Sequence, residues 1–139
     1  MTLATLLLSP EGRISRGPWW LGWGLLYGAV SVVNLLDRFI FVHASQLNIL
    51  LPVLFVALAW PTYSLHAKRF HDRDKPSSWA VAYVVLQLAG MALLVGGGSQ
   101  GPISLIGIAI LAIIALWIIV ELGVLRGSVG ANRFGPATV

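Results

Sequence analysis

Four long apolar segments, separated by shorter polar or glycine-rich connections, dominate the pattern of the chain. They cover about residues 18–36, 47–65, 79–95 and 103–122. A helix of roughly 17 to 25 apolar residues crosses the hydrocarbon core of a bilayer, and no segment alternates with the period of two that is typical of membrane strands. The pattern therefore predicts an all-α integral membrane protein with four transmembrane helices.

Two prolines refine this prediction. Pro18 suits the first turn of a helix, where a missing N–H leaves no hydrogen bond unmade. Pro61 lies inside the second segment and cannot donate to the carbonyl of Ala57, so we expect a kink there. Such breaks persist in membranes when neighbouring groups satisfy the freed carbonyl.

Composition indicates that lipid is the solvent of this chain. Of its 139 residues, 58% are apolar and 10% are charged, whereas a soluble domain carries about 25% charged residues. A soluble fold of this size leaves roughly a third of its unfolded surface in water and could not hide so much apolar surface. We expect residues 1–139 to form a single four-helix transmembrane domain.

The basic residues predict the orientation. Eight of the nine Lys and Arg residues lie in the N-terminal segment, the loop after the second span and the tail, and only Arg38 lies on the opposite side. Because basic loops stay in the cytoplasm, both termini of this multi-pass protein are predicted to be cytoplasmic. All six tryptophans fall in the cytoplasmic halves of their spans, as interfacial anchoring predicts. Topology also explains the net charge of +4, so no nucleic-acid partner is predicted.

Three motifs occur in order around the apolar segments. They are Gly12-Arg13-Ile14-Ser15-Arg16 with Trp19-Trp20 after it, the segment from His66 to Arg73 with Ser78-Trp79 after it, and the glycine-rich tail from Gly127 to Pro136. In this order they resemble the YhaH/YhaI-like family of small bacterial inner-membrane proteins, a domain of unknown function. The resemblance covers almost the whole chain. It implies a four-helix inner-membrane protein and supplies no activity.

The basic segments form the first candidate site. Several guanidinium groups at the level of the lipid head groups suit a phosphate, which arginine binds in a bidentate manner, and basic pockets between helices bind anionic head groups. The alternative is that these charges only set the topology and attract anionic lipid without specificity. The residues predicted to bind an anionic lipid, ligand or protein partner are Arg13, Arg16, His66, Lys68, Arg69, His71, Asp72, Arg73, Asn132 and Arg133.

Glu121 is the second candidate, because an ionisable residue near the end of a transmembrane span is a functional-site hypothesis by default. We expect its partner to be Arg69 or Arg16, and a structural ion pair at the interface is the alternative. Together with Asn34 and the kink at Pro61, Glu121 also supports a second function, a subunit of a small oligomeric transporter or channel.

The pair Gly24 and Gly28 has the spacing that permits close approach of two helices. We expect it to pack inside the bundle, and homodimerisation is the alternative. A homo-oligomer therefore remains open.

Catalytic and metal chemistry have weaker support. His66 and His71 are five residues apart, which directs them about 140° apart on a helix, and the chain has no cysteine. An enzyme acting on lipid-linked substrates, with one of these histidines as its base, is a third hypothesis, but no nucleophile or metal constellation accompanies them. We therefore predict no catalytic residue, no metal and no cofactor, and a non-enzymatic membrane protein.

Overall fold

The computed structural model describes residues 2–40, 50–97 and 101–136 and is all-helical, with no strand in these ranges. Its helices are α1 (Leu3–Leu8), α2 (Arg16–Ile40), α3 (Leu50–Ala57), α4 (Ala59–Asp72), α5 (Ser78–Gly96) and α6 (Pro102–Ile118), and α6 continues into a π-helical turn at Ile119–Val124, here named the π segment. The predicted fold class, all-α, is confirmed.

Within the described part of the chain, three helices are long and apolar enough to cross a membrane: Arg16–Leu36, Ser78–Gly96 and Pro102–Val124. They correspond to the first, third and fourth predicted spans. The second predicted span is divided between α3 and α4, neither of which reaches the length of a span. Its first residues, 47–49, and the side chain of Arg38 lie outside the described part of the chain.

The division of the second span has a physical cause in Pro61. Helix α3 ends at Ala57 and α4 begins at Ala59, so that Pro61 falls in the first turn of α4, where a missing N–H leaves no hydrogen bond unmade. The interruption expected from Pro61 is therefore present. Helix α4 then runs to Asp72, beyond the predicted end of the span.

Glycines set the closest helix contact of the bundle, between α5 and α6. A Cβ placed on Gly107 would lie 2.6 Å from the carbonyl oxygen of Gly90. In contrast, a Cβ on Gly24 or Gly28 would meet nothing within 4 Å, and both residues are exposed. The expectation that Gly24 and Gly28 pack inside the bundle is wrong, because the side of α2 that carries them faces outward.

Large apolar side chains cover the outer surface of the helices. Ile113, Leu116 and Val56 are 68%, 66% and 64% exposed. Such a surface is unfavourable in water and favourable in lipid. The exposed apolar surface and the three long apolar helices agree with a membrane protein.

Candidate functional site: a basic cap

The three basic segments meet at one end of the helix bundle. This end, here named the basic cap, consists of residues 2–16, 66–77 and 121–136. It contains all five ion pairs formed by the described residues, and Lys68, Arg69 and Asp72 are at most 2% exposed. The cap is therefore a packed polar core and not a loose set of surface charges.

Asp72 is the centre of this core. Its Oδ1 accepts hydrogen bonds from Arg13 Nε at 3.2 Å and Nη2 at 3.0 Å, and its Oδ2 pairs with Arg69. A Cβ on Gly127 would collide with the Asp72 carboxylate, so glycine is required where the tail crosses it. Burial lowers the pKa of Arg69 and the charge of Asp72 raises it, so the ion pair compensates for the loss of water.

Arg13 joins the tail to this core. Its Nη1 donates to the carbonyls of Gly130 at 2.9 Å and Gly135 at 3.0 Å, and its Nη2 donates to the hydroxyl of Ser128 at 3.1 Å. The Arg13 side chain is 2% exposed. All of its donors are thus directed at this chain, which leaves Arg13 no exposed face for a ligand.

The π segment leaves its last carbonyls without helical partners, and cations satisfy them. Arg69 donates to the carbonyls of Leu122 at 2.8 Å and Leu125 at 2.7 Å, and Arg16 donates to Val124 at 3.2 Å. Unpaired carbonyls at a helix end carry partial negative charge. Arg69 therefore serves as a side-chain cap of the last spanning helix.

Lys68 caps a second helix in the same way. Its Nζ donates to the carbonyls of Thr5 and Leu6, the last turn of α1, at 2.5 and 2.6 Å. Trp60 Nε1 donates to the next free carbonyl, that of Leu8, at 3.0 Å. Burial lowers the pKa of Lys68 to about 8, which leaves the ammonium form in the majority at neutral pH. Helix α1 was not expected from the sequence; it has only six residues, and these contacts hold its last carbonyls.

Glu121 is an ion-pair residue, but its partners differ from those expected. Its Oε1 accepts from Arg73 Nε at 2.9 Å and from Lys75 Nζ at 2.5 Å. The expected partners, Arg69 and Arg16, are bound to carbonyls of the π segment instead. Glu121 is thereby held at the cap by two cations.

The two histidines lie in separate environments. His66 is fully buried, with its ring 5.8 Å from the Trp19 ring and 4.7 Å from the Tyr83 ring. His71 stacks on Phe134 at 3.9 Å, and its Nδ1 lies 3.1 Å from the carbonyl of Gly12. The two rings do not converge on a common site, and no group of three potential metal-binding side chains occurs among the described residues.

Through Asn132 and Arg133, the tail returns onto the end of α4 and the loop that follows it. Asn132 Nδ2 donates to the carbonyl of His71 at 2.8 Å, and Arg133 Nη2 donates to the carbonyl of Asp74 at 2.7 Å. Asn132 and Gly135 also form an isolated backbone bridge. The Arg133–Asp74 ion pair is more than half exposed, so Arg133 contributes to the surface of the cap.

A cleft of about 240 Å³ opens into the cap beside the start of α2 and the end of the π segment. Arg16 and Arg126 are the exposed cations of this cleft, and the Arg126 side chain has no partner among the described residues. The charge of Arg126 contributed to the predicted orientation, but Arg126 was not predicted as a site residue, because it lies just outside the tail motif that begins at Gly127. The residues that line the cleft are Ser15, Arg16, Arg69, Asp72, Arg126, Gly127 and Ser128.

Comparison with known proteins identifies the family. A family model described as a protein of unknown function (DUF805) matches residues 7–136. The chain belongs to this family. The expectation of a domain of unknown function is consistent with this match, whereas the YhaH/YhaI-like name remains a prediction.

Two curated relatives carry the same description, uncharacterized protein YiiR, in Escherichia coli strain K12 and in Escherichia coli O157:H7. Each is 30% identical to this chain over 146 residues, and the alignment covers 99% of this chain and 91% of the relative. No solved structure matches the chain. Membership of the family therefore leaves the activity of this protein open.

Proposed function

We propose that this protein is a four-span protein of the bacterial inner membrane, with both termini in the cytoplasm, whose basic cap binds the phosphate of an anionic phospholipid head group. In this proposal α3 and the first part of α4 form the second span. The proposed activity is binding and not catalysis. The proposed binding site is the cleft between Arg16 and Arg126.

The convergence of the three basic segments supports the four-span topology. Arg13 of the N-terminal segment contacts Asp72 of the middle loop and Ser128 of the tail. These segments can share one side of a membrane only when an even number of crossings separates each from the next. With α5 and α6 as the last pair of crossings, α2 must be followed by one more crossing before residue 66.

The single observation that carries the binding site is the position of two exposed guanidinium groups beside the bundle. Arg126 has no side-chain partner among the described residues, and Arg16 uses one donor on the carbonyl of Val124. Arg16 begins α2, and Arg126 follows the end of the π segment, so both lie where spanning helices reach the head groups. Arginine binds phosphate oxygens through two parallel hydrogen bonds, and Ser15 lines the same cleft.

The charge balance of the cap favours an anion in this cleft. The three basic segments carry eight Lys and Arg residues but only four Asp and Glu residues. Asp72 is shared by Arg13 and Arg69, and Glu121 is shared by two further cations. The positive potential that remains attracts anionic lipid of the cytoplasmic leaflet.

Native mass spectrometry of the purified protein with phosphatidylglycerol and with phosphatidylcholine tests this proposal. We expect retained phosphatidylglycerol to decrease strongly in Arg16→Gln and Arg126→Gln, because each substitution removes one guanidinium from the cleft. Arg133→Gln is the matched control, since it removes an equal charge from the exposed surface of the cap outside the cleft. Addition of inorganic phosphate distinguishes a head-group site from a site for free phosphate.

Equal retention of phosphatidylglycerol by all three variants would refute the proposed site. Displacement of the lipid by millimolar inorganic phosphate would instead assign the cleft to a soluble anion. The topology has its own test, because reporter fusions at residue 70 and at the final residue should both report the cytoplasm.

A further inference from the structure

A second cavity, of about 180 Å³, lies inside the bundle away from the basic cap. It lies between α2, α3, α5 and α6, and the described residues that line it belong to these helices and not to the cap. Its lining includes Trp23, Tyr27, Phe55, Tyr83, Gln87 and Ala115.

The cavity has access to the surrounding lipid. Helix α2 packs closely against the π segment, but in the described chain no Cα atom of α2 lies within 8 Å of a Cα atom of α6, so the backbones of the two helices diverge from this common end. The cavity lies between them, and Ala115 on its α6 wall is exposed. An amphipathic molecule dissolved in the bilayer could therefore enter sideways.

The inner wall of the cavity is polar but uncharged. The hydroxyls of Tyr27 and Tyr83 are 2.7 Å apart, and Gln87, which is 8% exposed, interacts with the Tyr27 hydroxyl. A buried amide or hydroxyl is costly in an apolar environment unless it is hydrogen-bonded. The Gln87 amide can make more hydrogen bonds than this single contact uses, which leaves capacity for a ligand.

Aromatic rings form much of the remaining lining. The Trp23 and Tyr27 rings pack with their centroids 4.7 Å apart and their planes tilted by 30°, Phe55 and Tyr83 lie beside them, and the wall contributed by α6 is aliphatic. Aromatic rings pack well against a flat ring. Among the described residues, no Lys or Arg lines this cavity, so a phosphate group has no cationic partner there, and an acyl chain would leave the Gln87 amide without a ligand bond.

We propose that this cavity binds the uncharged ring of a prenylated quinone, with a ring carbonyl accepting a hydrogen bond from the Gln87–Tyr27–Tyr83 group. The ring enters from the bilayer between α2 and α6, and the prenyl tail stays in lipid. This site is separate from the cleft of the basic cap and does not depend on lipid binding there.

Photolabelling of the full-length protein in nanodiscs with an azido derivative of short-chain ubiquinone tests the proposal. We expect saturable labelling that maps to the cavity walls and is displaced by unmodified ubiquinone. Gln87→Leu removes the polar partner, and Ala115→Leu fills the entrance. Each should weaken binding by about tenfold or more, the value of one hydrogen bond or one blocked contact.

Ala109→Leu is the matched control, because Ala109 is an exposed alanine of the same helix on the side away from the cavity. It should bind ubiquinone like the unsubstituted protein. Labelling that does not saturate, or that stays unchanged in both Gln87→Leu and Ala115→Leu, would overturn the proposal. Equal displacement by phosphatidylethanolamine would overturn it too, since it would show that the cavity holds an acyl chain.

Discussion

The basic cap and the membrane-spanning part of the bundle are stabilised in opposite ways. In the cap, irregular backbone and helix ends leave carbonyls unpaired, and buried cations such as Lys68 and Arg69 satisfy them. In the spans the helices satisfy their own backbone groups, and close packing at Gly90 and Gly107 replaces polar contacts. The difference teaches that cations in the cap mainly satisfy carbonyls and carboxylates of this same chain, so that only a few of them remain available for a ligand.

The largest expected effect comes from breaking the centre of the cap. Asp72→Asn removes the charge that pairs with Arg13 and Arg69, and it leaves two buried cations without compensation. Breaking a buried pair in this way costs about 3–5 kcal/mol. Denaturant titration of the unfolding free energy in mixed micelles measures the loss.

Asp74→Asn is the control for this substitution. Asp74 pairs with Arg133 at the surface, where ion pairs contribute about 0–1 kcal/mol. Its φ of 57° is tolerated by asparagine. Equal losses in the two variants would contradict the description of the cap as a polar core.

The second effect tests the packing of the spans. Gly107→Ala places a methyl group against the backbone of Gly90 and Leu94, which cannot move aside as a side chain can. We expect a loss of about 1–3 kcal/mol, typical of overpacking. Gly24→Ala, which meets open space, should change the same unfolding free energy little. If Gly24→Ala proves the more damaging, α2 has a contact that the monomer lacks, and homodimerisation through this face gains support.

The third prediction concerns how far α1 depends on the ammonium group of Lys68. Lys68→Met keeps the length of the side chain but leaves the carbonyls of Thr5 and Leu6 without their donor. A hydrogen bond to a charged group contributes about 1.5–3 kcal/mol. Hydrogen exchange should show early loss of protection in residues 3–8 while α5 and α6 stay protected. Unchanged protection in α1 would mean that packing of Leu6 alone holds it.

The smallest effect is a pH dependence from His71. Burial lowers the pKa of His71, and the nearby charge of Arg133 acts in the same direction, against the bond to Gly12. As pH falls below the ordinary value of 6.5, the unfolded chain takes up a proton that the folded chain refuses, so stability decreases. Thermal unfolding between pH 7.5 and 5.5 should show this decrease, and His71→Phe, which keeps the stack on Phe134, should reduce it. A steeper decrease in His71→Phe would exclude this assignment.

Much of the fold was predictable because hydrophobic period and length are local properties. Residues 79–95 and 103–122 were predicted as spans, and the helices found there begin one residue earlier. The break between α3 and α4 was predictable from Pro61, because a proline removes one backbone donor from a helix whatever its distant neighbours are. Helix α1 was not predictable, since six residues form a stable helix only when a distant side chain such as Lys68 caps them.

The candidate site was harder to predict because it depends on which cation meets which oxygen. The sequence correctly predicted that Arg13 and Arg69 lie at the same end of the bundle. It could not show that Asp72 and backbone carbonyls accept the hydrogen bonds of both guanidinium groups. Glu121 received the wrong partners for the same reason, since Arg73 and Lys75 lie only a few residues from the expected Arg69. Arg126 is a candidate site residue because it is exposed in the cleft and no neighbouring side chain pairs with it among the described residues. This could be recognised only in the folded structure.

The way in which Arg69 and Arg13 are satisfied has a consequence for biogenesis. Their oxygen partners at Leu122, Leu125, Ser128 and Gly130 leave the ribosome about fifty residues or more after Arg69 does. Until the last helix is inserted, both guanidinium groups lack most of their ligands, and the newly made chain exposes a cationic, half-built end. A product truncated before Leu122 therefore carries both guanidinium groups without most of their oxygen partners, and this unpaired charge distinguishes it chemically from the finished chain.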